Sequence, residues 1–295
     1  MTNPQTVDDR PTPPAGASTG RIIQGDAVQA LASIDDDTFQ TAVTSPPYWG
    51  LRDYGIDGQI GAEPTVFEYI ETLTKLFSEV RRTLRPDGTL WLNIGDSYTS
   101  GGRTWRQSDK KLPARGMDYR PATPEGLKKK DLIGVPWRLA FALQADGWYL
   151  RTDIVWNKPN GNPESVKDRP TRMHEFVFLL TKSERYLYNY EAVKEPAVNG
   201  KLKARRSVWN VNTEAFPEAH FATFPTGLVE PCILAGSNQG DTVLDPFFGS
   251  GTVGQVAYNL GRNFVGLELN DEYIEIAQAR LAGRCDGLTV PVTEA

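Results

Sequence analysis

The sequence predicts an α/β fold, a mostly parallel sheet with helices on both faces, and three features predict it. In the last third, apolar runs at 242–245 and 263–268 read as short strands around a helical pattern at 252–260, the alternation that builds parallel sheets. Earlier, Phe67, Ile70, Leu73, Phe77, Val80 and Leu84 recur every three or four positions after Thr65, which is one face of a helix. A Pro86-Asp87-Gly88 turn then hands the chain to an apolar run at 89–94, expected as a buried strand.

The remaining elements follow in order. Residues 21–25 and 41–44 read as strands around a short helix at 27–34. The stretch 97–130 is rich in Gly, Lys and Arg and has no usable period, so it reads as a functional or partly disordered loop. A helix at 132–144, strands at 149–157 and 175–181, and an irregular basic stretch to about 207 complete the middle. Asn270 is expected to cap a last helix carrying Tyr273, Ile274, Ala277 and Leu281. Residues 1–20, rich in Pro, Ser, Thr, Ala and Gly, are expected as a disordered tail, and 284–295 as a second tail. No internal repeat is visible.

At 295 residues the chain suits one α/β domain with an insertion, or two small ones. No apolar run approaches the ~20 residues of a spanning helix, and the N-terminus lacks a signal pattern. Cys232 and Cys285 have no metal-type spacing. These features predict a cytoplasmic protein without metal or membrane. The net charge of -5 hides an uneven distribution: 22 basic minus 12 acidic residues gives +10 across 101–206, and the rest carries -15. A basic middle between acidic flanks suits a lobe that meets phosphates, although a solvated lysine-rich loop reads the same way.

Two motifs carry chemistry. Asp245-Pro246-Phe247-Phe248-Gly249-Ser250-Gly251-Thr252 joins a strand to a helix. Glycines there allow a tight turn close to a ligand, and helix amides receive a negative group. Glu268 ends the next strand, where a carboxylate can accept from ribose hydroxyls. Gly249, Gly251 and Gly254 also fit the dinucleotide pattern, so an NAD enzyme stands beside this reading, as does a turn that only packs. The missing Gly-Lys-Ser/Thr disfavours a P-loop. The second motif, Ser45-Pro46-Pro47-Tyr48, follows an apolar strand directly. Its prolines remove two N–H donors and leave rigid carbonyl acceptors, suited beside a Ser oxygen to an amino group. Tyr48 offers a face on which a base could stack.

Together these motifs resemble those of the DNA amino-methyltransferases, Ser45-Pro46-Pro47-Tyr48 matching the catalytic motif and Asp245 to Thr252 the cofactor motif. The catalytic motif comes first, the order of the circularly permuted β group. Gly25-Asp26-Ala27 resembles the segment whose Asp contacts adenine. Thr223-Phe224-Pro225, with Leu228 and Glu230, resembles the segment that holds the methionine end. The resemblance covers most of 21–283, sets the NAD reading aside, and implies a Rossmann-like methyltransferase fold, permuted, with an inserted basic target-recognition region. It divides the chain into a catalytic half (21–100 and 131–182), a basic loop (101–130), a target-recognition region (183–215) and a cofactor half (216–283).

The activity it implies is transfer of a methyl group from S-adenosylmethionine to a base amino group in duplex DNA, flipped out of the helix. The catalytic set is Ser45, Pro46, Pro47 and Tyr48. The cofactor set is Asp26, Thr44, Thr223, Phe224, Pro225, Asp245, Phe247, Gly249, Gly251, Thr252 and Glu268. Ser at the first motif position is associated with N4 of cytosine, with N6 of adenine as the alternative. Pro231-Cys232 lies in an apolar helical pattern, so Cys232 reads as a core residue and not as a nucleophile; His174 reads as structural. The DNA-binding candidates are Lys167, Arg169, Arg172, Lys182, Arg185, Lys201, Lys203, Arg205 and Arg206. Trp49, Tyr54 and Trp91 are candidates to line the base pocket or pack in the core. Expected partners are double-stranded DNA in a bacterial cell or phage-infected host, with a homodimer allowed and not required. An RNA or protein-amide methyltransferase and an inactive DNA-binding decoy are the competing readings.

Overall fold

The computed structural model describes residues 18–51, 56, 58–99, 121–161, 164–198, 200–214 and 225–295. Its elements are β1 Gly20–Gln24, α1 Ala27–Ala32, β2 Phe39–Thr44, α2 Val66–Thr83, β3 Leu84–Ile94, α3 Val135–Ala145, β4 Tyr149–Asn157, β5 His174–Thr181, β6 Glu195–Pro196, β7 Leu202–Lys203 and β8 Val208–Asn210. There follow α4 Thr226–Gly236, β9 Thr242–Asp245, α5 Thr252–Asn259, β10 Asn263–Glu268, α6 Asp271–Arg284 and β11 Val292–Glu294.

Among the described residues nine strands form one sheet in the order β11-β1-β10-β9-β2-β3-β5-β4-β8. Neighbours run parallel except β5, which is antiparallel to β3 and β4. Alternate strand residues feed two cores. Ala42, Leu90, Leu92, Leu244 and Phe178 pack with α1, α2 and α3. Val43, Trp91, Val243, Val177 and Phe264 pack with α4, α5 and α6. The predicted two-faced α/β architecture is the one observed.

Local chemistry sets the element ends. Thr65 and Glu68 form a reciprocal capping box at the start of α2, and Asn270 caps α6 through Glu272 N. The third helix begins later than its periodicity predicts. Asp96, distant in sequence, accepts from Gly134 N and Val135 N at 2.9 Å each and supplies the cap. The Pro86-Asp87-Gly88 turn survives only as an irregularity inside β3, whose register jumps from Phe39↔Leu84 to Thr41↔Thr89.

Both expected tails need correction where they are described. Thr19 N donates to Asn263 Oδ1 at 2.8 Å and Gly20 opens β1. At the other end β11 adds a parallel edge strand to β1, and Val290 is buried. The basic loop 101–130 lies outside the described residues up to 120.

The topology decides where a ligand sits. From β9 the chain passes through α5 to β10 on one side, whereas from β2 it passes through α2 to β3 on the other. The order reverses between β9 and β2, and open α/β sheets bind ligands outside the carboxyl ends of strands at such a point.

Candidate active site

A cleft of about 370 Å³ opens at that switch point. It is lined from Gly25–Ala27 after β1, Ser45–Tyr48 after β2, Asn93 on β3, Trp156 and Lys158 at the end of β4, Glu175 at the start of β5, Pro246–Ser250 after β9, and Glu268–Asn270 after β10. Both sequence motifs therefore meet in one cavity although 200 residues separate Ser45 from Asp245.

The wall after β9 is built mostly by backbone. Asp245 is buried, and its Oδ1 accepts from Thr44 Oγ1 at 2.7 Å and Phe247 N at 3.1 Å, tying β2 to β9 and shaping the turn. Burial pushes its carboxyl up to about 7. Gly249 N donates to Glu268 Oε2 at 2.7 Å, and Asn270 N to Glu268 Oε1 at 2.9 Å. Burial raises the Glu268 carboxyl, with these two amides pulling the other way. Gly251 caps α5 at φ +78, a left-handed conformation that favours glycine; a Cβ there would stand 3.1 Å from the Ala277 Cβ. Behind the turn, the buried Arg280 guanidinium donates to Ser250 Oγ at 2.9 Å, Thr252 Oγ1 at 2.7 Å and Gln255 Oε1 at 2.8 Å. Asp26 caps α1 by accepting from Val28 N and Gln29 N at 3.0 Å.

The wall after β2 is built by side chains. Ser45 Oγ donates to Asn93 Oδ1 at 3.1 Å. Tyr48 OH donates to Glu175 Oε2 at 2.7 Å and lies 3.4 Å from Asn93 Oδ1. Asn93 Nδ2 donates to Glu175 Oε2 at 3.3 Å and to the Phe176 carbonyl at 3.1 Å. Lys158 Nζ pairs with Glu175 Oε1 and stands 4.2 Å from the Trp156 ring centroid. Burial first, and then the Glu175 charge, holds the Tyr48 phenol well above its ordinary value, so it stays a donor. Tyr69 OH donates to the Pro47 carbonyl at 2.8 Å and pins the loop from α2.

Asp26, Ser45–Tyr48, Phe247, Gly249, Thr252 and Glu268 line the cleft as the sequence implies. Thr44 and Asp245 stand directly behind it, and Gly251 shapes its turn. Pro225 caps α4; Thr223, Phe224 and Tyr54 lie outside the described residues. Trp49 and Trp91 are core residues. So is Cys232, whose thiol burial drives upward, with its Sγ 3.3 Å from the Leu228 carbonyl. The Cys285 thiol is pushed up to about 11, chiefly by burial. His174 packs edge-on against Phe176, and burial lowers its pKa.

The basic candidates divide. Arg172 pairs with Asp96 at 3.5 Å, and Arg169 pairs with Glu164 at 2.6 Å and covers the Tyr98 ring. They and exposed Lys167 precede β5, at the cleft end of the sheet. Because β5 is antiparallel, Lys182 and Arg185 are carried to the opposite end of the sheet. There Lys182 Nζ donates to Asp37 Oδ1, Arg82 O and Leu84 O at 2.8, 3.1 and 2.6 Å. Lys201 is exposed beside the β6–β7 pair, where Lys203 pairs with Glu195. Arg205 covers the Trp209 ring at 4.5 Å, and exposed Arg206 precedes β8, which extends the sheet along β4. Asn93, Lys158, Glu175, Tyr69 and Arg280 were not anticipated. Asn93 left one signal, a polar residue inside an apolar strand; the others left none beyond residue type. Among the described residues there is no cluster of three metal-ligating side chains and no helix long and apolar enough to cross a membrane.

Known proteins resemble this chain in sequence and in fold. The family model N6_N4_Mtase, described as DNA methylase, matches residues 39–279. The Type II methyltransferase M.SmaI of Serratia marcescens is 63% identical over 266 residues, covering 90% of this chain and 91% of its own. M.Cfr9I of Citrobacter freundii is 63% identical over 262 residues, covering 89% and 87%. Among solved structures, the PvuII DNA methyltransferase (cytosine-N4-specific) superposes with a TM-score of 0.70 at 20% identity over 94% of this chain and 95% of its own. TTHA0409 of Thermus thermophilus, complexed with S-adenosyl-L-methionine, gives 0.64 at 24% identity over 93% and 99%. These last two show a shared Rossmann-like methyltransferase fold. With the family model spanning most of its length and close relatives along nearly all of it, the chain belongs to the N6/N4 DNA methylase family, among its Type II methyltransferases.

Proposed function

We propose that the chain methylates the exocyclic N4 of cytosine in duplex DNA, with S-adenosylmethionine as donor. The observation that supports this best is Ser45. Its hydroxyl donates its own proton to Asn93, so its lone pairs are left to accept, and it lines the same cleft as the glycine turn.

The cleft suits the donor's chemistry. A nucleoside with a sulfonium and an amino-acid tail needs acceptors for ribose hydroxyls and surroundings that tolerate positive charge. Asp26, Glu214 and Glu268 line the cleft, and the Gly249 turn brings backbone close without a side chain in the way. When bound, S-adenosylmethionine supplies a methyl group on an electrophilic sulfur.

The chain's own residues do the rest. Ser45 Oγ accepts one amino N–H. The Pro46 carbonyl accepts the other, while Tyr69 pins the neighbouring Pro47 carbonyl. Two acceptors below the nitrogen favour a pyramidal geometry with the lone pair aimed at the methyl group. The amino nitrogen that takes the methyl group would shed one proton to solvent, and the donor would depart as a neutral thioether. In-line placement and fixed dipoles then account for most of the acceleration. Tyr48 supplies a stacking face for a base that has left the helix. The choice of cytosine rests on Ser in the first motif position. Lys167, Arg169 and Arg172, at the cleft end, are the basic residues best placed for phosphates, with Lys201, Lys203, Arg205 and Arg206 along the sheet edge.

Incubation with methyl-labelled S-adenosylmethionine and mixed-sequence duplex DNA, followed by nucleoside chromatography, tests the reading. Label in N4-methylcytosine is expected. Label in N6-methyladenine would overturn the base, and label only in RNA or protein would overturn the DNA reading.

A further inference from the structure

Lys158 and Glu175 face each other across β4 and β5 with side chains only 19% and 17% exposed. Burying such a pair costs desolvation and is weak evidence of a stabilising role, so its location is informative. The two oxygens of Glu175 face different ways. Oε1 is held by Lys158, and Oε2 receives Tyr48 OH and Asn93 Nδ2. Asn93 in turn presents its Oδ1 to Ser45. An unbroken chain of polar contacts therefore runs from the Lys158 ammonium to the motif serine. Gly95 makes room for it: a Cβ there would stand 2.7 Å from the Tyr48 ring and 3.3 Å from the Glu175 carboxyl carbon.

We propose that Glu175, clamped by Lys158, is the positioning residue that aims Ser45 and Tyr48 at the target base. This rests on the amino-methylation reading and goes beyond it, since both residues lie outside Ser45–Tyr48 and Asp245–Thr252. A fixed Glu175 keeps the Asn93 amide oriented with its oxygen toward Ser45. Were the amide to turn over, Ser45 would accept from Asn93 and lose a lone pair needed for the base amino group. Tyr48, bonded to the same carboxylate, would lose its ring orientation at the same time. Lys158 holds Glu175 in one rotamer.

The test uses the full chain with Glu175→Gln, Lys158→Met, Lys158→Arg and the double variant Glu175→Gln with Lys158→Met. Single-turnover methyl transfer to duplex DNA is measured beside equilibrium affinity for S-adenosylmethionine and thermal melting. A misplacement of this kind costs about 100-fold in rate, expected for Glu175→Gln with cofactor affinity within about two-fold of the parent. Lys158→Met is expected to lose about ten-fold, Lys158→Arg to recover most of that, and the double variant to be no slower than Glu175→Gln alone, because both act through one path. If Glu175→Gln fails to fold, the Lys158 pair carries the test. Parental rates in Glu175→Gln and Lys158→Met would overturn the proposal, as would a fall in cofactor affinity or melting temperature that accounts for the rate. A parent chain that labels no DNA base would overturn the amino-methylation reading and this inference with it; a labelling parent with unimpaired variants overturns the inference alone.

Discussion

The two strand ends that meet at the switch point are built in opposite ways. The turn after β9 is made of backbone: glycines with left-handed torsions, amides that donate to Glu268, and a buried arginine fastening it from behind. The loop after β2 is held by side chains drawn from β3, β5, α2 and the residue after β4, which converge on Ser45–Tyr48. A backbone site is specified by a short run of residues and tolerates little change in conformation. A side-chain site depends on partners 22 to 127 residues away, and its parts fail separately.

That contrast is best tested from the base side. Ser45→Ala removes the acceptor without disturbing the turn after β9. Methyl transfer is expected to fall by about 10²–10³-fold, as when one preorganised hydrogen-bonding group is lost; single-turnover kinetics check it, and a loss under ten-fold would move the amino-group acceptor elsewhere.

Asp245 gives the next largest effect, in stability. Its carboxyl is pushed up to about 7 by burial. The folded state thus keeps a proton that the unfolded chain releases near pH 3.9. Stability is therefore lost as pH rises from about 4 to 7 and levels off above that. Up to a few kcal/mol is involved, at about 1.4 kcal/mol per unit. Asp245→Asn should remove this component. Melting curves between pH 4 and 8 should be flatter than the parent's, and a parent-like slope would contradict the assigned burial cost.

Tyr69→Phe deletes one hydrogen bond, to the Pro47 carbonyl. A stability loss of about 1 kcal/mol is expected, with a rate loss of only a few-fold; denaturant titration beside kinetics separates the two. The smallest effects belong to the basic residues. Lys167→Ala is expected to lower the salt dependence of DNA binding by about 0.9 in log–log slope. Arg185→Ala, at the far end of the sheet, should leave it unchanged. Binding titrations at several salt concentrations decide it, and an Arg185 effect equal to that of Lys167 would put DNA on the wrong face.

The same contrast explains what could be read in advance. The β9 turn, Glu268 and the flanking elements were legible because strand, turn and helix are neighbours in sequence. The strands at 149–157, 242–245 and 263–268 match the observed bounds. Asn93, Lys158 and Glu175 were not legible, because only the antiparallel placement of β5 brings them together. That placement also sets Lys182 and Arg185 at the end of the sheet away from the cleft, which charge density along the chain does not reveal because it is blind to strand direction. The last strand escaped for a similar reason: Val292–Glu294 is exposed in all three positions and has no apolar pattern, its order coming from the edge of β1. The start of α3 was misplaced because its cap comes from Asp96, outside the local sequence.

The most direct test of separable walls is equilibrium binding of labelled S-adenosylmethionine to Gly251→Ala and Ser45→Ala. A Cβ at φ +78 costs roughly 1–2 kcal/mol and crowds Ala277. Gly251→Ala is therefore predicted to bind the donor about ten-fold more weakly while remaining folded, and Ser45→Ala to bind it as the parent does. Parental affinity in Gly251→Ala, or lost affinity in Ser45→Ala, would contradict the assignment of donor and base to the two walls of the cleft.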